Sequence, residues 1–145
     1  MLSPLQYWII LLAVAAYAFA RGRIDERSAA VICIAATIAT RLVHSPLNER
    51  FAGVEVGVLA VDLLALAGFV AIALRSERFW PLWVAGLQLT TIVGHLLKAI
   101  HLDLVPHAYA AAARLWVYPI FLIIVVGTWR SHQRRLRESR ATAAA

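Results

Sequence analysis

The sequence predicts an all-α, polytopic integral membrane protein: a bundle of five transmembrane helices with the N-terminus outside and the C-terminus cytoplasmic. Three observations predict it. The first is composition: 62% of the 145 residues are hydrophobic and 15% are charged, whereas a soluble domain is ~45–50% apolar and ~25% charged. The mean hydropathy of +0.76 agrees. The second is five apolar runs separated by short charged or turn-forming connections. The third is an uneven placement of basic residues about those runs. A bundle of this kind uses nearly the whole chain as one domain, residues 1–129 with a basic tail at 130–145, and leaves no length for a soluble catalytic domain.

Residues 4–20, PLQYWIILLAVAAYAFA, form the first run, near the lower length limit for a spanning helix. Tyr7 and Trp8 suit a membrane interface. Ala18-Phe19-Ala20 resembles a small-residue cleavage site, but no Lys or Arg precedes the apolar core and the basic residues follow it. The expectation is therefore a retained span. After the charged connection RGRIDER, residues 28–44 make a second span in which Cys33, Thr37, Arg41 and His44 recur at spacings of four, four and three. That spacing puts them on one helix face. Cys33 is the only cysteine, so it supports neither an intrachain disulfide nor a cysteine-rich metal site.

Pro46 and Gly53 mark the next turn, and residues 53–74 form the third run. Its glycines and alanines permit close helix approach, and Glu55 and Asp62, two turns apart, share a face. RSER at 75–78 is the next connection. Phe79, Trp80 and Trp83 around Pro81 read as an interfacial belt opening the fourth span, 81–102. Along it Gln88, Thr91, His95 and Lys98 step by three, four and three, a polar stripe. The fifth span, 107–129, contains Arg114 and Pro119, and a tail rich in arginine follows. That tail has too few apolar residues to fold alone.

Orientation follows from counting. Arg21, Arg23, Arg27, Arg75, Arg78, Arg130, Arg134, Arg135, Arg137 and Arg140, ten in all, fall on one side; Arg41, Arg50, Lys98 and Arg114, four in all, fall on the other. The positive-inside rule makes the richer side cytoplasmic and places the protein in a bacterial-type inner membrane. The net charge of +6 is explained by topology, so no nucleic-acid partner is expected.

The stretch that carries chemistry is Thr90 to Asp103, TTIVGHLLKAIHLD. An ionisable side chain inside a membrane costs at least ~2.5–3.5 kcal/mol on insertion scales and so needs a partner, a wet cavity or a task. With 1.5 Å of rise per residue, Asp62 lies about 13 Å below the outer mouth, and His95 and Arg114 about 10 Å. The prediction is a polar funnel open to the outside. Asp62, His95 and Arg114 form its deep layer, and Arg41, His44, Glu55, Lys98, His101, Asp103 and His107 stand above. The plainer alternative is an ion pair fixing helix register, with Lys98 snorkelling to the interface.

Several chemistries fit such a cluster. Haem needs two facing axial ligands, and His95 has only His44 or His107 to pair with near the mouth. A quinone head group would use His95, Asp62, Trp116 and Tyr118. His95, His101, His107 and Asp103 are weak metal candidates, without a familiar ligand spacing. Glu55 and Asp62 lie about 10 Å apart along one helix, too far for a proton-sharing pair. No nucleophile elbow, zinc helix or phosphate loop is present. Arg134, Arg135 and Arg137 suit anionic lipid head groups.

The expected function is a small binding or accessory subunit whose outward cluster engages a ligand, lipid or partner helix, within a homo-oligomer or a larger membrane complex. A redox or proton-handling protein using haem or quinone at the same cluster is the competing class.

Overall fold

The computed structural model describes residues 3–43, 56–100 and 116–144, the side chains of 98–100 excepted. These residues form five helices: α1 (Pro4–Arg21), α2 (Ile24–Val43), α3 (Val56–Arg75), α4 (Trp80–Ile100) and α5 (Val117–Ala143). The all-helical class and the helix order agree with the sequence. Among the described residues α1 and α3 alone are long and apolar enough to cross a membrane by length and composition. The other expected spans miss that standard for visible reasons. α2 opens on Asp25, Glu26 and Arg27, α4 carries its polar stripe, and α5 reaches Arg130 after an apolar half of modest length.

Local chemistry sets the boundaries. At the start of α1 the Ser3 hydroxyl accepts from the Gln6 amide at 3.3 Å, and the Gln6 side chain accepts from the Ser3 amide at 2.7 Å. This is a reciprocal cap, with Pro4 in the first turn where its missing N–H is not needed. Gly22 ends the helix in extended geometry, its amide donating to the Ala18 carbonyl at 2.8 Å. A Cβ on Gly22 would abut that carbonyl and lie 2.8 Å from Cβ of Glu26, so the α1–α2 turn has room only for glycine.

Helix α2 begins at Ile24, inside the charged segment expected to be a connection. Glu26 reaches back to accept from the Arg23 amide at 2.8 Å, and Asp25 and Glu26 complement the positive helix N-terminus. Pro81 lies in the first turn of α4. Pro119 lies in the first turn of α5 as described, where proline is tolerated, and residues 107–115 of the expected fifth span lie outside the described residues. That helix continues for 27 residues to Ala143, about 40 Å at standard rise. The basic tail is helical because it extends an existing helix, which avoids the nucleation cost, and because its first turns bond to other helices.

Each helix packs on the next in sequence, α5 closes back on α1, and α2 also touches α5 across the interior. Paired positions give the directions. Gly57 lies beside Val43 and Gly68 beside Ile32, and Ser76 donates to Asp25 at 2.8 Å, so α2 and α3 are antiparallel. Tyr7 meets Phe121 at 5.9 Å between ring centroids, while Arg21 meets His132 at 2.7 Å, so α1 and α5 run parallel. All ten arginines counted on the richer side therefore belong to one end of the bundle.

The core is built of small residues, Ala15, Ala18, Ala29, Ala30, Cys33, Ala65 and Ala85, filled in by Leu11, Val84, Phe69, Phe121 and Ile124. Small side chains bring helices close and rely on dispersion rather than bulk. At the α4–α5 crossing, Gly127 lies under Trp80, whose indole a Cβ there would approach to 3.2 Å. Many large apolar side chains face outward, among them Leu5, Ile9, Leu12, Leu64, Leu74 and Leu122.

Candidate functional site

Helices α3 and α4 bring together two of the three residues expected in the deep layer. His95 Nε2 lies 3.0 Å from Asp62 Oδ2. Gln88, two turns before His95 on the same α4 face, donates through Nε2 to Asp62 Oδ1 at 3.1 Å and to the Asp62 carbonyl at 3.3 Å. Each carboxylate oxygen thus has its own partner, and Asp62 is held between two turns of α4. The His95 side chain is 7% exposed and that of Asp62 18% exposed. The imidazole is enclosed while the carboxylate keeps an open edge. Asp62 is six residues into α3 and His95 five residues from the end of α4, about 9 and 8 Å at helical rise, so they meet at one depth.

Arg114, the third member of that layer, lies outside the described residues, as do His44, Glu55, His101, Asp103 and His107; Lys98 falls within α4, but its side chain is outside them too. Arg41 is exposed in the last turn of α2, and among the described residues only Gln88 and His95 bond to Asp62. The polar face of α2 serves a different contact. The Thr37 hydroxyl donates to the Cys33 carbonyl at 2.7 Å, and the Tyr7 hydroxyl bonds Thr37 at 2.8 Å, tying α2 to α1. Tyr118 packs edge-on against Phe121, with ring centroids 6.5 Å apart.

An aspartate hydrogen-bonded to a buried histidine can hold or pass a proton and can orient a polar ligand. For haem, the two described histidines, His95 and His132, sit toward opposite ends of the bundle and do not share an iron. Among the described residues no group of three His, Cys, Asp or Glu side chains is placed to hold a metal ion.

A second polar cluster, at the arginine-rich end, escaped the sequence reading. Glu26 is fully buried and pairs with Arg78 at 2.7 Å. Ser131 of α5 donates to the same carboxylate oxygen at 2.8 Å, and Arg78 also donates to the Ser131 hydroxyl. With the Arg23 amide on the other oxygen, this closed network joins α2, the α3–α4 turn and α5. None of its buried side-chain donors or acceptors lacks a partner, which marks it as a clamp. The available sequence signal was weak: Glu26 follows Arg23 by three residues, the spacing at which a glutamate reaches back to a cap amide, but Arg23 is not a capping residue type.

No family model matches the chain, and no curated protein or solved structure matches it. The functional reading therefore rests on the two polar clusters and the surface around them.

Proposed function

We propose that the chain is a five-span protein of a bacterial-type inner membrane, N-terminus outside and C-terminus cytoplasmic, acting as a small binding or accessory subunit. Its Asp62–His95–Gln88 site engages a ligand, lipid or partner helix from the outer side. The exterior supports a membrane setting. The most apolar window of α3 is only 17% buried in the bundle, whereas the core helix of a soluble protein turns such a surface inward. The arginines at one end match the expected cytoplasmic face.

The observation that carries the binding role is the open edge of Asp62. Its neighbours Leu63 and Leu64 are turned outward. A carboxylate with partial exposure beside lipid-facing leucines is stabilised by a further donor, which a polar ligand or a polar side chain of a partner helix supplies. Gln88 and His95 hold it ready for that contact.

The test is native mass spectrometry with a UV–visible spectrum, on protein extracted gently from its own membrane, comparing wild type with Asp62→Asn and His95→Gln. A subunit or small molecule retained by wild type and lost from both variants supports the role. Equal retention in all three removes the site from the function. The 3.0 Å contact between Asp62 and His95 also favours a second reading, proton handling with a quinone or haem. A Soret band that changes on reduction, or a retained quinone, brings that reading forward.

A further inference from the structure

Beside the end of α1 the C-terminal half of α5 forms a groove of about 430 Å³ lined by Ala20, Arg21, His132, Arg135, Leu136 and Ser139. We propose that this groove is a specific site for the phosphate of an anionic membrane lipid, gripped by Arg21 and Arg135. The proposal rests on the membrane reading above.

The helix sorts the tail arginines by face. At 100° per residue, His132, Arg135, Leu136 and Ser139 fall on one side of α5, while Arg134 and Arg137 fall on the opposite side. The three arginines expected to meet lipid are therefore not equivalent. Arg135 turns to α1 and gains Arg21, a residue 114 positions earlier.

Arg21 donates from Nη1 to His132 Nε2 at 2.7 Å, and Arg135 donates to the Arg21 carbonyl. Each guanidinium has five N–H donors, so these contacts hold the pair in place and leave donors for a ligand. Among the described residues neither arginine is paired with a carboxylate, in contrast to Arg78, which is spent on Glu26. Two fixed cations sharing a groove repel each other, and an anion with several acceptor oxygens relieves that repulsion through forked contacts.

The remaining lining points to a lipid. Ala20 and Leu136 give the groove an apolar wall, and exposed Phe19 and Trp129 stand close by in sequence on α1 and α5. Aromatic residues at that level mark a membrane interface. A phosphate meeting the arginines would have its glycerol and first acyl carbons beside the apolar wall, an arrangement that free phosphate does not use.

The experiment compares four variants of equal charge change, Arg21→Gln, Arg135→Gln, Arg134→Gln and Arg137→Gln, in full-length protein. A carbonate wash of the membranes comes first; protein released by it refutes the membrane reading itself. For protein that stays, native mass spectrometry from detergent supplied with phosphatidylglycerol and phosphatidylcholine counts retained lipid. The expected result is a loss of phosphatidylglycerol retention of about fivefold for Arg21→Gln and for Arg135→Gln, with Arg134→Gln and Arg137→Gln near wild type.

Circular dichroism checks that all four variants keep the wild-type helix content. Arg135→Lys, which keeps the charge and loses the fork, is expected to restore part of the retention. Equal losses in all four variants, or none, overturn the proposal in favour of diffuse attraction or no site. Inorganic phosphate is titrated into protein held in lipid-free detergent. If it stabilises wild type as strongly as phosphatidylglycerol does, the assignment to lipid is overturned.

Discussion

Replacing Glu26 by alanine is the sharpest test of how the arginine-rich end is held. The substitution removes a carboxylate with no solvent exposure that accepts from Arg78, Ser131 and the Arg23 amide. Breaking a buried ion pair from one side costs ~3–5 kcal/mol, because the remaining charge is left without its partner. Arg78 keeps 22% of its side chain exposed, so water recovers part of that cost and the lower end, about 3 kcal/mol, is expected. Loss of the bond from the Arg23 amide, at the entry to α2, adds ~1 kcal/mol.

The assay is reversible unfolding in mixed micelles with increasing denaturing detergent, followed by circular dichroism. Glu26→Gln keeps the volume and an acceptor oxygen, and is expected to cost ~1–2 kcal/mol, mainly the charge-assisted part of the bond to Arg78. A double substitution, Glu26→Leu with Arg78→Met, restores much of the stability lost in Glu26→Ala, since neither charge is then stranded. A cost below ~1 kcal/mol for Glu26→Ala, within the range of an exposed ion pair, would refute the claim that this network is a buried clamp.

Four further outcomes follow from the helix contacts. Gly127→Ala pushes a methyl to within 3.2 Å of the Trp80 indole and is expected to destabilise by ~1–3 kcal/mol in the same assay. Gly86→Ala meets nothing within 4 Å and is expected to stabilise by ~0.5–1 kcal/mol through lower unfolded-chain entropy; equal effects at the two glycines would contradict the α4–α5 packing. Gly22→Val places side-chain atoms against Glu26 and the Ala18 carbonyl, so its expression is expected to fall, with a lower melting temperature in any protein recovered. Tyr7→Phe removes the hydroxyl bonded to Thr37, at an expected cost of ~0.5–1.5 kcal/mol and no change in helix content.

The helices were legible because their signals are local. Apolar runs and the charged connections between them are written within a few residues of where they act; the Ser3–Gln6 cap and Gly22 at the two ends of α1 are equally local, though the sequence reading did not use them. The meeting of Asp62 with His95 was also legible, since helix rise and alternating direction put them at one depth. That estimate gave the depth but not the partners on each oxygen. Gln88 entered the sequence reading as stripe lining, and only the rotation of α4 against α3 turned its amide onto Asp62. The α2 stripe shows the converse: Thr37 lies on a polar face as expected, yet that face meets Tyr7 of α1.

The sequence by itself determined the helical class, the order of the helices and the gathering of arginines toward one end, because periodicity, caps and charge placement act over a turn or two of chain. Tertiary structure decided which polar groups became partners. Glu26 is 52 residues from Arg78 and 105 from Ser131, and Arg21 is 111 from His132. No local preference links positions so far apart. Their pairing depends on the rotation and register of whole helices, which are fixed by how the small residues of the core let those helices approach.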